Sequence, residues 1–212
     1  MRILYGVVGE GMGHAIRSRV VLDELVARHD VQVVVSGRAH DYLAKRANDH
    51  LMVKKIWGFT IVTEDNEVRN FRTLLANVRG ALTFGWPKNI KTYFEIADSF
   101  KPDVVISDFE SWSYLYGVNH GLPVVSVDNM QIINRCRHEP EMIAGHEASF
   151  QIAKGIVKAK VPGAYHYLIQ LLLPAHPQEA HLAASADPAA GDPGGNERAR
   201  RAPARLPDLH HQ

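Results

Sequence analysis

The feature that most constrains the fold is an alternation of short apolar runs with longer stretches of helical period over residues 1–170. Short apolar runs bounded by glycine, proline or polar residues indicate buried strands, here at residues 2–8, 31–35, 51–56, 103–107, 123–127 and 164–169. Helical patterns lie between them, at residues 13–28, 40–48, 70–100, 110–119 and 140–158. This order predicts an α/β fold with a Rossmann-like parallel sheet and helices on both faces.

Local patterns refine this prediction. Proline disfavours helix at the residue before it, so the third helical stretch is expected to be two helices separated near Gly85-Trp86-Pro87. Residues 58–62 are compatible with a further extended segment. In such a sheet, ligands bind beyond the carboxyl ends of the strands. The first helix is expected to face the sheet with an apolar stripe of Ile16, Val20, Val21, Leu22, Leu25 and Val26.

Composition excludes several classes of protein. The chain has 24 Lys and Arg against 23 Asp and Glu, a formal net charge of +1, so nothing overall favours nucleic-acid binding. The single cysteine, Cys136, cannot form an internal disulfide. We find no signal-peptide pattern and no run of about 18 apolar residues. We therefore expect a cytoplasmic protein, in which contact with the inner face of the membrane would need a local basic patch.

The composition changes abruptly after Leu171-Leu172-Leu173. Residues 174–212 contain no aromatic residue, Ile, Val or Met. Such a segment cannot bury enough apolar surface to offset its ordering entropy. We expect a folded domain at residues 1–170 and a disordered or non-native tail at residues 171–212. A basic interaction tail and an out-of-frame translation product both fit, and the abruptness of the change favours the second.

A glycine-rich turn, Gly9-Glu10-Gly11-Met12-Gly13-His14, joins the first predicted strand to the first helix. Glycines let a ligand approach the backbone, and a helix N-terminus attracts phosphate or a developing anion. The dinucleotide fingerprint does not fit, because the third glycine comes one position early and no acidic residue follows the second strand. The missing G-K-[ST] sequence excludes a P-loop. An ordinary tight turn is the alternative interpretation.

His14 and Asp108 are the candidate catalytic pair. An imidazole titrates near neutral pH and works better as a general base when a carboxylate orients it. His14 opens the first helix, and Asp108 follows the fourth predicted strand. Because the carboxyl ends of parallel strands share one edge, the two side chains are expected to lie close together. The alternative makes His14 an ordinary helix-start residue and Asp108 the N-cap of the next helix.

Two segments resemble a known family. The sequence ILYGVVGEGMGH at residues 3–14 resembles the opening of GT-B glycosyltransferases. It is similar to the G-G-T-G-G-H turn of the peptidoglycan GlcNAc transferase and to the G-H motif of UDP-glycosyltransferases. The sequence KPDVVISD at residues 101–108, followed by GLPVV at residues 121–125, resembles the K-P-D-V-V…G-I-P-V-V segment of the same N-terminal domains. The resemblance covers residues 1–170.

The resemblance implies the N-terminal, acceptor-side half of a GT-B fold. In this family a second domain holds most of the nucleotide, and its glycine-rich turn and ribose-binding acidic residue have no counterpart here. We therefore expect a truncated glycosyltransferase that is inactive alone. The implied partners are a nucleotide-sugar donor, expected to be a UDP-sugar, a hydroxyl acceptor and a donor-binding C-terminal half. The acceptor is left open among a lipid, an envelope polysaccharide and a small molecule.

The resemblance also implies a mechanism. His14 and Asp108 match the general base and its carboxylate partner in the branch that acts on small molecules. No cofactor is expected, and GT-B enzymes generally need no divalent metal. Accordingly His138, His146 and His166 lack metal-ligand spacing and are interpreted as structural or surface residues. The backbone N–H groups expected to stabilise the leaving diphosphate belong to Gly11, Met12 and Gly13.

Polar residues also follow the fifth predicted strand, in the sequence Asp128-Asn129-Met130-Gln131. This segment resembles the polar stretch after I-P-V-V in the peptidoglycan enzyme. As a cleft wall, Asp128, Asn129 and Gln131 would contact acceptor or donor. An ordinary loop containing Asx turns is equally compatible.

Aromatic residues surround the interrupted helical stretch. One interpretation is an acceptor pocket that leans on a membrane when the acceptor is a lipid, and the favoured one is core packing. The residues are Trp57, Phe59, Phe71, Phe84, Trp86 and Tyr93. Two other functions stay open, namely the non-catalytic half of a split glycosyltransferase that recruits a donor-binding partner, and a nucleotide-cofactor oxidoreductase.

Overall fold

The computed structural model describes residues 1–9, 11–58, 63–64, 67–68 and 85–170. Six of its strands form a parallel sheet in the order β3-β2-β1-β6-β7-β8, so the parallel α/β prediction is confirmed. The strands are β1 (Arg2–Val7), β2 (Asp30–Val35), β3 (Leu51–Lys55), β6 (Val104–Asp108), β7 (Val124–Asp128) and β8 (His166–Ile169). Two short strands, β4 (Thr63–Glu64) and β5 (Glu67–Val68), form a separate antiparallel pair.

Helices cover both faces of the sheet. They are α1 (Met12–Leu25), α2 (Gly37–Ala44), α3 (Trp86–Glu95), α4 (Ser111–Asn119), α5 (Ile132–Arg135), α6 (Pro140–Ile143) and α7 (Glu147–Lys160). Helix α3 runs on into a π-helical turn at Ile96–Phe100. No helix in the described part of the chain has the length and apolarity needed to cross a bilayer.

Successive residues of the central strands point to opposite faces and are buried on both. Ile3, Tyr5 and Val7 of β1 pack into one core cluster with residues of α1 and α2. Leu4 lies in the other cluster, with residues of α4 and the π-helical turn. This double burial explains why the strands read as continuous apolar runs.

The direction of the strand order changes beside β1. The chain moves from β1 outward through β2 and β3, then returns to place β6 on the other side of β1. Val7 and Asp108, the last residues of β1 and β6, are paired in register. In open parallel sheets this reversal leaves a crevice at the carboxyl edge where ligands bind. The residues directly after β1 and β6 therefore lie at the place where a ligand is expected.

Several helix predictions need correction. The predicted helix at 140–158 is two helices, because Gly145 adopts a left-handed backbone with φ of 77° between α6 and α7. The predicted 40–48 helix begins earlier, at Gly37, and ends at Ala44. Helix α5 was not predicted. A helix does begin at Trp86, as the proline signal indicates.

The predicted apolar stripe of α1 is wrong at two positions. Ile16 and Val20 are 51% and 58% exposed, whereas Ala15, Ser18 and Leu22 are buried. The prediction selected the most hydrophobic residues of α1. The face of α1 that packs on the sheet also carries a small residue and a polar one, which that criterion does not select. The extended segment at 58–62 beyond Gly58, the first half of the interrupted helical stretch and the tail at 171–212 lie outside the described residues.

Candidate active site

The carboxyl edge brings His14 and Asp108 together. His14 is the third residue of α1 and Asp108 the last of β6. Their Nδ1 and Oδ1 atoms are 2.7 Å apart. The Asp108 side chain is 1% exposed and the His14 side chain 16%, so the carboxylate is inside and the imidazole reaches the surface. This arrangement suits an imidazole whose one nitrogen is oriented by a carboxylate.

Two further side chains of α1 bind the same carboxylate. Arg17 donates through Nη2 to Asp108 Oδ1 at 2.6 Å, and Ser18 donates through Oγ to Oδ2 at 2.7 Å. Sequence reasoning missed both residues. Positions three and four residues after His14 lie on the same helix face, so this spacing was the signal that could have found them.

Arg17 also connects the site to the neighbouring strand. Its Nη1 atom donates to Asn129 Oδ1 at 3.1 Å, and its Nη2 lies 2.7 Å from His14 Nδ1. The guanidinium thus contacts residues from α1 and from the ends of β6 and β7. It ties together three segments that the sheet order brings to one edge.

Asp108 does not cap the helix that comes after it. The N-cap of α4 is Glu110, whose carboxylate accepts hydrogen bonds from the backbone N–H groups of Trp112 and Ser113 at 2.9 and 2.6 Å. Burial raises the pKa of Glu110, and these hydrogen bonds oppose that rise. Gly6 has no room for a Cβ, since it would collide with Ser113 Oγ. The carboxylate of Asp108 therefore has His14, Arg17 and Ser18 as its partners.

Phe109 forms one wall beside the imidazole. Its ring stacks on that of His14 with 6.2 Å between centroids and 14° between planes. Its backbone φ is 55°, in the left-handed region that a bulky side chain rarely adopts. A strained residue next to a candidate catalytic group is a recognised sign of functional constraint.

The glycines of the turn divide into two kinds. Gly9 packs against Ser36, so a Cβ there would collide with backbone. Gly11 and Gly13 have no atoms within 4 Å of a Cβ position and face open space. Gly11 caps α1 with φ of 79° and supplies no side-chain hydrogen bond. The first N–H groups of α1, including those of Met12 and Gly13, therefore receive no hydrogen bond from an N-cap side chain, and they lie beside His14.

The polar residues after β7 differ in their surroundings. Asp128 is fully buried, and its carboxylate accepts from Ser126 Oγ at 2.7 Å and from the Gln131 backbone N–H at 2.9 Å. Burial raises the pKa of Asp128. Gln131 is 1% exposed, and its side-chain amide forms no hydrogen bond with any residue in the described ranges. Of the three candidates, Asn129 is the one joined to His14 and Asp108, through Arg17.

Three residues of the predicted aromatic set, Trp57, Trp86 and Tyr93, line a cavity at α3. Its volume is about 510 Å³, and its walls are Trp57, Trp86, Asn89, Ile90, Tyr93, Phe94 and Trp112. The Asn89 side chain holds the backbone of Trp57 by two hydrogen bonds. Trp86 is 61% exposed, whereas Tyr93 packs on Tyr116 of α4. Phe59, Phe71 and Phe84 lie outside the described residues.

Among the described residues, no group of three His, Cys, Asp or Glu side chains could hold a metal ion. His138 contacts the backbone carbonyl of Ile132 and packs on Phe150, and His166 packs against Tyr165. His146 precedes α7. These environments are structural or superficial.

Comparison with known proteins gives the family. Residues 1–185 match the profile of Glycosyl transferase family 1, so the chain belongs to that family. A relative from Methanosarcina mazei, described as an uncharacterized glycosyltransferase, is 26% identical over 156 residues, covering 68% of this chain and 38% of the relative. The chain thus spans well under half of that relative's length.

A solved structure gives the same fold. The chain is similar to Arabidopsis thaliana UGT89C1 complexed with UDP-L-rhamnose, with a TM-score of 0.51 and 13% identity. The match covers 80% of this chain and 44% of the plant protein. The fold is that of the N-terminal, Rossmann-like half of a GT-B glycosyltransferase.

Proposed function

We propose that the protein containing this domain transfers a sugar from a UDP-sugar to an acceptor hydroxyl, with His14 as general base and Asp108 as its partner. The observation that carries the proposal is the 2.7 Å contact between His14 Nδ1 and Asp108 Oδ1, at the edge where the strand order reverses. Family membership supports the class of reaction, and the UDP-L-rhamnose in complex with the plant protein supports the donor.

The proposed proton transfer uses the neutral tautomer of His14 that carries its proton on Nδ1. With Nδ1–H donating to Asp108, the Nε2 lone pair accepts the proton of the acceptor hydroxyl. The acceptor oxygen then forms a bond to the anomeric carbon as the bond from that carbon to the diphosphate oxygen breaks. The bonding electrons leave with UDP. Asp108 stabilises the imidazolium formed in this step.

The turn before His14 suits the leaving group. Gly11 and Gly13 leave the backbone open, and the first turn of α1 offers N–H groups at the positive end of a helix dipole. We propose that the N–H groups of Gly11, Met12 and Gly13 approach the diphosphate. Asn129 belongs to the same cluster, whereas Asp128 and Gln131 support it from inside.

The acceptor is proposed to lie on this domain. The cavity at α3 is lined mainly by aromatic side chains, which favours an acceptor with an apolar part, a lipid or a small aromatic molecule, over a polysaccharide. Lys88 and Lys91 on α3 are charges that would suit contact with an anionic membrane if the acceptor is a lipid.

A UDP-release assay tests the proposal. The chain is mixed with a UDP-sugar and a panel of acceptors, alone and with a separately expressed donor-binding GT-B domain. His14→Ala is expected to slow release by about 10²- to 10⁴-fold, the usual contribution of a general base. His50→Ala is the matched control, because His50 pairs with exposed Asp30, the first residue of β2, at the opposite edge.

Other outcomes separate the alternatives. Release that depends on the chain but survives His14→Ala would favour the non-catalytic, recruiting role. Binding of NAD(H) in place of UDP-sugar would favour the oxidoreductase, although Ser36 stands where that class carries an acidic residue after β2.

A further inference from the structure

Two non-glycine residues with a left-handed backbone flank β6. Lys101, with φ of 49°, lies before the strand, and Phe109, with φ of 55°, follows its last residue. Lys101 is the C-cap of the π-helical turn, and its N–H donates to the carbonyl of Ile96 at 2.8 Å. A left-handed residue is common at the end of a helix. Phe109 ends no helix, since it lies between β6 and Glu110, the N-cap of α4. Its conformation therefore needs another explanation.

The contacts of the Phe109 ring supply that explanation. Phe109 is buried, yet it belongs to neither of the two core clusters that the described residues form. Its ring lies nearly parallel to the imidazole of His14, with 14° between the planes. On α7, Lys160 Nζ is 5.1 Å from the centroid of the same ring, within the range of a cation–π contact. The ring therefore packs against the candidate base rather than within the core of the domain.

We propose that Phe109 is a positioning residue whose ring restricts the orientation of the His14 imidazole. The contacts of Nδ1 with Asp108 and Arg17 fix one atom of the imidazole. An imidazole held at one atom can still turn, because the χ2 torsion of histidine is broad. The nearly parallel ring of Phe109 limits this rotation. The consequence for catalysis rests on the proposed function, whereas the restraint on the imidazole does not.

Hydrogen bonds on both sides of Phe109 hold its backbone in this conformation. Ser107 Oγ donates to the carbonyl of Glu110 at 2.7 Å and accepts from the Glu110 N–H at 3.0 Å. The Glu110 carboxylate in turn accepts from the first N–H groups of α4. A sparsely populated backbone conformation persists only where the surrounding structure determines it. The turn from β6 to α4 therefore imposes the conformation that brings the Phe109 ring to His14.

The test measures the His14 ring directly and needs no activity. The full 212-residue chain is labelled with ¹³C in the histidine rings, and relaxation gives the order parameter of each imidazole. The signal that His14→Gln removes identifies His14. Phe109→Gly and Phe109→Asn remove the ring and tolerate a left-handed backbone, whereas Phe109→Tyr retains the ring. Lys101→Gly is the matched control, because it replaces the other left-handed residue, at the opposite end of β6.

We expect the order parameter of the His14 ring to fall in Phe109→Gly and Phe109→Asn. It should stay at the wild-type value in Phe109→Tyr and in Lys101→Gly. In the UDP-release assay, kcat should fall by about 10- to 100-fold in the two variants without the ring, because a displaced catalytic group slows the chemical step. The KM for the acceptor should change by less than about twofold, since Phe109 acts through His14 and not on the acceptor.

Three results would overturn the inference. One is an unchanged order parameter of the His14 ring in both variants without the Phe109 ring. Another is an equal fall in Lys101→Gly, which would mean that the imidazole loosens with any change beside β6. The third is loss of the folded state in both Phe109→Gly and Phe109→Asn, which would make the ring a part of the core. If the His14 ring becomes mobile as expected but UDP release does not slow, the inference holds and the assignment of His14 as the base fails.

Discussion

Two neighbouring strands end in aspartates that look alike in sequence and differ in their surroundings. Strand β6 reads VVISD and ends at Asp108, and β7 reads VVSVD and ends at Asp128. Both carboxylates are fully buried at the same edge of the sheet. Asp108 is bound by an imidazole, a guanidinium and a hydroxyl, all from α1. Asp128 is bound by the neutral donors Ser126 Oγ and the Gln131 N–H.

The position of one serine accounts for part of this difference. Ser126 lies two residues before Asp128, on the same face of the strand, and donates to it. Ser107 lies one residue before Asp108, on the opposite face, and instead exchanges hydrogen bonds with the backbone of Glu110. Asp108 is thus left to receive its partners from α1. The difference teaches that the site is defined by the side chains that reach a strand end from another element.

The largest expected effect is a difference in activity between variants of the two aspartates. Asp108→Asn should lower UDP release by about 10³- to 10⁴-fold, because an amide can donate to Nδ1 and favour the wrong tautomer of His14. Asp128→Asn should change release by less than about tenfold, since it leaves the contacts of His14 in place. The UDP-release assay measures both. Similar losses in the two variants would remove the functional distinction between the strands.

The second-largest expected effect is a difference between Asp108 and Asp128 in how much each contributes to the free energy of unfolding. Asp108→Ala leaves the guanidinium of Arg17 without its anion and should lower the free energy of unfolding by about 3 kcal/mol. Asp128→Ala leaves two neutral donors without their acceptor and should cost about 2 kcal/mol, about 1 for each hydrogen bond. Urea denaturation at pH 7 measures both. A larger cost at Asp128 would show that the neutral hydrogen bonds, and not the charge pair, hold this edge together.

Much of this edge could be predicted from the sequence. The apolar runs and the turn glycines locate the strand ends, and parallel order then requires His14 and Asp108 to share an edge. The partnership of Asp108 with Arg17 could be inferred only from helix spacing, because charged residues on a predicted helix are usually assigned to its solvent face. The N-cap at Glu110 escaped prediction because aspartate is the commoner capping residue.

Side-chain direction at the strand ends could not be predicted. Side chains alternate between the two faces of a strand. An error of one residue in the predicted pairing of a strand therefore reverses the face to which its terminal aspartate points. The break between α6 and α7 likewise depends on Gly145 adopting a left-handed backbone, although Gly155 within α7 has no such effect. In both cases the local sequence allows two conformations equally, and tertiary packing selects one of them.

A smaller effect appears in the pH dependence of stability. The folded state raises the pKa of Asp128, so it binds that proton more tightly than the unfolded chain. The free energy of unfolding should therefore fall as pH rises from the ordinary carboxyl range through the raised pKa. The fall is about 1.4 kcal/mol for each pH unit that separates the folded and unfolded pKa values. Asp128→Asn removes this fall, so the wild type should lose stability relative to the variant as the pH rises from the ordinary carboxyl range through the raised pKa of Asp128.

Urea denaturation of the wild type and Asp128→Asn across this range is the measurement. The difference between the two proteins cancels the contribution of Glu110, whose pKa is also raised by burial. It also cancels those of Asp30 and Glu95, whose pKa values are lowered by their hydrogen bonds to His50 and Lys54. A difference that does not vary with pH would mean that burial does not raise the pKa of Asp128.

The smallest effect concerns the amide beside Asp128. The Gln131 side chain is buried with no hydrogen-bond partner among the described residues, whereas the Asn129 amide oxygen accepts from Arg17. Replacing a buried unpaired amide with an apolar group of similar shape removes its desolvation cost. Gln131→Met should therefore raise the free energy of unfolding by about 1 kcal/mol, and Asn129→Leu, which leaves Arg17 short of an acceptor, should lower it by a similar amount. If Gln131→Met destabilises instead in urea denaturation, the amide has a partner in solution, and the β7 end of the edge belongs to the binding surface as much as the β6 end does.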